Sequence, residues 1–132
     1  MDPISNMLTQ IKNAQMVSLE QTVVPFSKMK WKIASLLKDA GYLASVDRKK
    51  KKAKKAEHEY LELSLKYTEG QGAISGIKIV SKPSRHMYAK ADELKPIRSG
   101  FGISVVSTSK GIMTNKEARK EGLGGEVLFE IW

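Results

Sequence analysis

Hydrophobic residues near the start of the chain recur at helical spacing. One set lies at positions i, i+3, i+4 and i+7, which places all its members on one side of a helix. Asp2 can cap the start of this helix, and Pro3 suits its first turn. The members of the set are Ile4, Met7, Leu8 and Ile11. The spacing therefore predicts an amphipathic first helix.

A second helix is predicted after a short gap. Ser27 has the chemistry of an N-cap, and Gly41 is typical of the residue that closes a helix. Between them, apolar residues again form one stripe, which consists of Ile33, Leu36, Leu37 and Ala40. The pattern predicts a second amphipathic helix.

Shorter patterns around these helices are typical of strands. Residues 22–26 form a β-branched run that ends in a turn at Pro25, and residues 42–46 are a second candidate. Apolar and polar residues then alternate from Leu61 to Tyr67, which predicts a half-buried strand. Residues 1–68 thus predict an α-β-α-β-β domain.

The second half of the chain has a different pattern. Residues 69–72 are rich in glycine and predict a linker. Beyond them, short apolar runs predict strands, and Thr114 followed by Glu117 has the capping-box spacing of a short helix. In the last strand, Val127, Phe129 and Ile131 are expected to share one face. The predicted fold class is α+β, with the N-terminal domain (1–68) packed against a mainly β C-terminal domain (73–132) that has short helices.

Charge adds a candidate class of partner. The formal net charge is +9, and residues 48–55 hold seven basic residues and no acidic one. Neutralising the phosphates of a nucleic acid releases counterions, so a polyanionic partner is plausible. The run is equally compatible with a solvated loop, a localisation signal or a membrane-surface patch, as in a chromatin-like or membrane-associated basic protein. Its position between two predicted strands favours the tip of a hairpin.

Several classes of chemistry lack support in the sequence. There is no cysteine, and the two histidines, His58 and His86, lie far apart, so neither a metal site nor a cofactor is expected. Ser107 and Lys110 match the S-x-x-K spacing of serine acyltransferases, but the partner motifs of those enzymes are missing. No run approaches a membrane span, and the N-terminus lacks a signal-peptide pattern. We expect a cytoplasmic protein that is not an enzyme and binds no membrane.

The run Ser107-Thr108-Ser109-Lys110-Gly111 is the most informative motif. It offers hydroxyls and backbone groups with little bulk, so it could enter the shallow minor groove of a folded RNA, where 2′-hydroxyls are exposed. It is also a good sequence for a tight hairpin turn. Tyr88 has two similar interpretations, because a tyrosine near Arg85 and Lys90 can stack on a base or lie in the core.

The chain resembles the bacterial-type small-subunit ribosomal protein family S-eight over nearly its whole length. Each matching motif is short, but their order along the chain is specific. The matching motifs are Asp2-Pro3-Ile4, Met7-Leu8-Thr9, Asn13-Ala14, Val24-Pro25-Phe26-Ser27-Lys28, Ser81-Lys82-Pro83, Gly100-Phe101-Gly102-Ile103, Ser107-Thr108-Ser109-Lys110-Gly111, Met113-Thr114, Glu117-Ala118-Arg119 and Gly124-Gly125-Glu126-Val127.

The resemblance implies direct binding to the central domain of small-subunit ribosomal RNA, early in assembly. It also implies neighbouring small-subunit proteins as partners, a monomeric free state, and, in some bacteria, repression of the family's own messenger RNA. The RNA-binding residues that it implies are Ser107, Thr108, Ser109, Lys110, Tyr88, Glu126, Gly124, Lys82, Arg85, Asp2, Pro3, Thr9, Lys12, Asn13, Lys28 and Lys30.

Two positions depart from the family's usual pattern. Gln10 stands where members often carry a basic residue, and Arg85-His86 stands where they often carry two arginines. The basic run at 48–55 is also longer than is usual in the family. The departures at Gln10 and at Arg85-His86 affect individual phosphate contacts. The resemblance does not assign a role to the basic run.

Overall fold

The fold is described by a computed structural model, which covers residues 3–53, 56–97 and 101–132, with backbone only at residues 52, 53, 56 and 57. The chain divides into two compact units, Pro3–Ala73 and Ile74–Trp132. The helices and strands of the described residues confirm the predicted α+β class.

The first unit follows the predicted α-β-α-β-β order. Its elements are α1 (Pro3–Met16), β1 (Gln21–Pro25), α2 (Lys28–Asp39), β2 (Leu43–Ala53), β3 (Ala56–Leu65), β4 (Tyr67–Thr68) and β5 (Gln71–Gly72). The first three strands form an antiparallel sheet in the order β1-β3-β2, and β4 pairs with β5 as a separate short hairpin. Residues 69–72, predicted as a linker, supply the turn and second strand of that hairpin.

The helices of the first unit form where their apolar stripes predict. Met7, Leu8 and Ile11 of α1 are buried, and so are Ile33 and Leu37 of α2. Because these residues recur at helical spacing, each helix presents one continuous apolar side to the core. Residues that alternate along the central strand β3 are buried as well, and these are Leu61, Leu63 and Leu65.

Residues 48–53 of the basic run lie in β2, so this strand is longer than the predicted 42–46, and the run still lies at the far end of the hairpin that β2 forms with β3. β2 continues well past residue 46 and stays paired with β3, from Arg48 opposite Leu61 to Ala53 opposite Ala56. The long antiparallel partner supplies backbone hydrogen bonds along the run, so the repulsion between lysines does not end the strand. Lys54 and Lys55 lie outside the described residues.

The second unit is mainly β, as predicted. Its elements are β6 (Ile77–Ile79), β7 (Tyr88–Ala89), a 3₁₀ turn (Ala91–Glu93), β8 (Ile103–Thr108), β9 (Gly111–Thr114), α3 (Asn115–Lys120) and β10 (Gly125–Ile131). The sheet has the order β6-β10-β8-β9, and β7 also pairs with β10. β10 is therefore the central strand, and it holds β6, β7 and β8 in place.

A β-bulge in β10 corrects one expectation about its faces. Val127 lies opposite Val106, but Phe129 lies opposite Val105, so Leu128 is the extra residue. Since neighbouring residues of β8 point to opposite faces, the shift places Val127 and Phe129 on different faces. Val127 packs on a core cluster of this unit that consists of Leu94, Val106, Met113 and Ala118.

None of the helices in the described parts of the chain is both long enough and apolar enough to cross a membrane.

Candidate nucleic-acid interface

Strand register in the second unit brings three predicted site residues into one row. Tyr88 of β7 lies opposite Glu126 of β10, and Glu126 lies opposite Ser107 of β8. Directly opposed residues of antiparallel strands share a face, with Cβ atoms roughly 5 Å apart. We call these three residues the strand-end row.

The strand-end row lies on the face of the sheet opposite Val106 and Val127. Those two residues pack on the core cluster, so the outer end of the other face is open. Tyr88 is 73% exposed, which places its ring at the surface and not in the core. Ser107 and Glu126 are half-buried. The row thus presents a ring, a carboxylate and a hydroxyl side by side.

The hydroxyl motif folds as a tight hairpin turn between β8 and β9. The Thr108 hydroxyl donates to the carbonyl oxygen of Gly111 at 2.8 Å and accepts from the amide of Lys110 at 3.1 Å. Gly111 has a φ of 115°, a conformation that glycine adopts without strain. The hydroxyl of Thr108 is thus used within the turn itself.

The two serines of this turn are placed differently from Thr108. Ser109 is exposed and Ser107 is half-buried. Within residues 3–53, 56–97 and 101–132, the hydroxyls of Ser107 and Ser109 have no hydrogen-bond partner. The interpretation as a tight hairpin turn is therefore confirmed, and the contact of the two serine hydroxyls with RNA stays a prediction.

Two glycines allow the strands around the row to approach closely. A Cβ atom at Gly125 would overlap the carbonyl oxygen of Ser107. A Cβ atom at Gly124 would lie 2.6 Å from the carbonyl oxygen of Ala89. Both obstacles are backbone atoms, which cannot rotate away. Gly124, which the resemblance places at the RNA, thus also has a packing role at the start of β10.

The carboxylate of Glu126 is held by a residue that the sequence did not connect to it. The Nδ1 atom of His86 lies 2.7 Å from Oε2 of Glu126. An exposed pair of this kind contributes at most about 1 kcal/mol to stability. Its main effect is to fix the direction in which the carboxylate points. His86 is the position where the family usually has a second arginine, and that departure was the only sequence signal for it.

Ser81 anchors the segment that precedes β7. Its hydroxyl donates to the carbonyl oxygen of Val127 at 2.6 Å and accepts from the amide of Met87 at 3.0 Å. Lys82 and Arg85 bond to each other through their backbones, which closes a turn. Both side chains are exposed. The turn therefore presents two cations on the segment that leads into the strand-end row.

The first unit contains a second group of predicted site residues. A groove of about 620 Å³ is lined by Pro3, Thr9 and Asn13 of α1 and by Lys30 of α2. Lys12 and Lys28 are exposed but do not line the groove. Lys30 is fixed through its Nζ atom, which donates to the carbonyl oxygen of Pro25 at 3.2 Å. Asp2, which was predicted here too, lies outside the described residues.

Gln10 has a structural role in this groove that sequence reasoning missed. Its side-chain amide donates to the hydroxyl of Thr22 at 2.9 Å and to the carbonyl oxygen of Val23 at 2.6 Å. These bonds tie α1 to β1. At this position, where the resemblance led us to expect a basic residue, the chain has a side chain that holds two walls of the groove together.

In the described residues, no group of three or more histidine, aspartate or glutamate side chains could hold a metal ion. What the second unit offers is a surface of open hydroxyls, a fixed carboxylate, an exposed ring and adjacent cations. Those are the groups that recognise a polar, hydrogen-bonding macromolecule by shape.

Comparisons with known proteins identify the family. The family model described as ribosomal protein S8 matches residues 2–132. The small ribosomal subunit protein uS8 of Hyphomonas neptunium is 43% identical over 131 residues, which are 99% of this chain and 97% of that protein. Proteins of the same name from Coxiella burnetii and Halothermothrix orenii are 46% and 45% identical, and each match covers 97% of the relative. The chain belongs to the ribosomal protein S8 family, which confirms the resemblance found in its sequence.

Proposed function

We propose that this chain is a structural protein of the small ribosomal subunit that binds directly to the central domain of small-subunit ribosomal RNA and supports its assembly. Membership of the family supports the ribosomal role. The observation that carries the RNA-binding role is the strand-end row, which includes the open hydroxyl of Ser107, together with the open hydroxyl of Ser109.

The chemistry of the strand-end row suits a folded RNA. Hydroxyls can donate to and accept from the 2′-hydroxyls and base edges of a shallow minor groove. Glu126 can accept hydrogen bonds from 2′-hydroxyls or base amino groups, and His86 holds its carboxylate in a fixed direction. The exposed ring of Tyr88 can stack on an unpaired base. Together these groups recognise RNA features that a phosphate contact alone does not distinguish.

Cations around the row supply affinity. Lys82, Arg85 and Lys110 are exposed on the segments that flank it. We assign them to phosphates, whose neutralisation releases counterions and strengthens binding without selecting a sequence. Thr108 and Gly124 support the same surface through the turn and the close strand contact described above.

The groove of the first unit is proposed as the contact for a second RNA segment. Pro3, Thr9 and Asn13 give it small and polar groups, and Lys30 gives it a fixed cation. Lys12 and Lys28 are exposed and free to reach phosphates. We include Asp2 in this set from the family resemblance alone.

The same proposal extends to partners and location. We infer that the protein is a monomer when free, works in cytoplasmic ribosomes beside neighbouring small-subunit proteins, and has no enzymatic activity. Ser107 lies in a strand and not at a helix start, which is where the S-x-x-K chemistry needs its serine. Repression of its own messenger RNA, known for some members of the family, would use the same surface.

Replacing both open serines tests the RNA-binding surface. We expect the variant Ser107→Ala/Ser109→Ala to bind a central-domain RNA fragment about tenfold more weakly, since each lost hydrogen bond contributes roughly 0.5–1.5 kcal/mol. Binding would be measured by filter-binding titration at fixed salt. Circular dichroism would verify that the fold is intact.

A matched control removes two hydroxyls outside the candidate surface. Ser45→Ala/Ser75→Ala makes the same chemical change in β2 and in the segment before β6. We expect this control to bind like the unaltered protein. Equal affinities for both double variants and the unaltered protein would show that the hydroxyl motif is only a turn.

A further inference from the structure

The hairpin of β2 and β3 extends beyond the sheet that supports it. β1 pairs with β3 only from Ser64 to Tyr60, and the amide of Phe26 adds one bond to the carbonyl oxygen of Glu59. Farther along, β2 and β3 remain paired with each other, from Lys51 opposite His58 to Ala53 opposite Ala56. We call residues 50–53 and 56–58 the basic ribbon.

Acidic side chains neutralise the cations at the base of the ribbon. Arg48 lies 2.7 Å from Glu59, and its guanidinium sits over the ring of Phe26 at 4.0 Å. Lys49 lies 2.9 Å from Glu62. That carboxylate raises the pKa of Lys49, first through the hydrogen bond and then through its charge. The base is therefore a set of ordered, paired charges.

The cations of the ribbon itself are much less compensated. Lys50 lies 3.8 Å from Glu59, a carboxylate that Arg48 already holds more closely. Lys51 has no carboxylate partner among the side chains that the structure describes, and it lies opposite His58. In the sequence, residues 50–58 hold five lysines and one acidic residue, Glu57, which lies opposite Lys52 in the strand register. Positive charge thus rises along the hairpin, away from the sheet.

We propose that the basic ribbon binds the phosphate backbone of RNA without base preference, at a surface separate from the strand-end row. Lys50 and Lys51 are neighbours in β2, so their side chains leave opposite faces of the hairpin and each face carries a cation. Lysine is a point charge that matches a phosphate but reads no base edge.

The density of charge favours a nucleic acid over an acidic protein as the partner. A nucleic-acid duplex carries a charge about every 1.7 Å along its axis, whereas protein surfaces mix both signs. A polyanion can neutralise several of these five lysines at once, and Glu57 is the one acidic residue that residues 50–58 supply themselves. This inference rests on the proposed function only in taking RNA as that polyanion.

The test measures the binding of the full chain to a duplex RNA of arbitrary sequence, for which the strand-end row is expected to have no selectivity. We would titrate the unaltered protein and Lys50→Gln/Lys51→Gln with a duplex RNA of about 20 base pairs and arbitrary sequence, between about 0.05 and 0.3 M KCl. Each lost phosphate contact reduces the slope of log affinity against log salt by about 0.9. We expect the slope to fall by 1 to 2 and low-salt affinity to fall about tenfold.

Two further variants distinguish the effect of the ribbon on RNA binding from the effect of the protein's net charge. Lys116→Gln/Lys120→Gln removes two exposed lysines from α3 and changes the net charge equally. Lys50→Arg/Lys51→Arg keeps the charge of the ribbon. We expect both to retain the salt slope of the unaltered protein. If the ribbon and α3 glutamine variants lose slope equally, or neither loses any, the ribbon is not an RNA surface.

The same measurements keep this inference distinct from the proposed function. Ser107→Ala/Ser109→Ala should keep its slope on the arbitrary duplex while losing affinity for the central-domain RNA. If the unaltered protein showed no preference for the central-domain RNA, the proposed function would fail. The salt dependence of binding to the arbitrary duplex would still test the ribbon independently.

Discussion

At the scale of single residues, close approach of the backbones constrains the strand-end row more than charge does. Gly125 brings β10 so close to β8 that a side chain would overlap the backbone of Ser107. Glu126, the next residue, is held at 2.7 Å by His86. A carboxylate at an RNA surface is electrostatically unfavourable unless it accepts defined hydrogen bonds, and fixing its direction is what makes that chemistry available.

Gly125→Ala is expected to destabilise the second unit. The new methyl group would meet backbone atoms, so the strands must separate, and we expect a loss of at least about 2 kcal/mol in the free energy of unfolding. Urea denaturation would measure it. The control is Ser75→Ala, a change at an exposed position of the same unit, which should cost less than about 1 kcal/mol. Equal unfolding midpoints for the two variants would contradict this account.

At the scale of elements, α2 and α3 start where a hydroxyl caps them. The Ser27 hydroxyl accepts from the amide of Lys30 at 3.1 Å, and the Thr114 hydroxyl accepts from the amide of Glu117 at 3.3 Å. Both caps were predicted from the sequence and are confirmed. Each satisfies one backbone amide that the first turn of a helix leaves without a partner. Of the two capped helices, α2 contributes Lys30 to the groove and α3 contributes Ala118 to the core cluster of the second unit.

Ser27→Ala should lower the free energy of unfolding by about 1 kcal/mol, because it removes the cap but little apolar area. Ser35→Ala is the matched control in the interior of the same helix. The hydroxyl of Ser35 only donates to the carbonyl oxygen of Trp31, a bond that does not stabilise a helix, so this change should be neutral or slightly stabilising. Thermal and urea unfolding would compare them. A larger loss for Ser35→Ala than for Ser27→Ala would refute the capping role.

At the scale of the whole molecule, the candidate RNA contacts fall into two units with different chemistry. The second unit, Ile74–Trp132, contains the strand-end row and both open hydroxyls. The first unit contains the groove, whose one lining cation is Lys30, and the basic ribbon with its lysines. This division leads us to expect that selectivity comes mainly from the second unit and that the first adds affinity.

A fragment of residues 73–132 should therefore keep measurable but weaker binding to the central-domain RNA. Roughly 60 residues bury only a small core, so its stability will be marginal, and circular dichroism must first show that it is folded. A competition titration would compare the central-domain RNA with a scrambled RNA. A folded fragment that binds both equally would move recognition to the first unit.

The sequence by itself determined the local structure of this protein. The apolar stripes of α1 and α2, the caps of α2 and α3, the alternation along β3 and the tight turn at 107–111 all follow from patterns within a few residues. The ordered motifs also identified the family. These features are readable because helical periodicity, capping and turn chemistry act between near neighbours in the chain.

Only the tertiary structure decided how distant residues meet. Tyr88, Glu126 and Ser107 form one row because β10 lies between β7 and β8, and no local pattern specifies that register. The bulge at Leu128, the contact between His86 and Glu126, and the continuation of β2 through the basic run have the same origin. Pairing between strands that are far apart in sequence depends on the whole sheet, so these positions became known only from the fold.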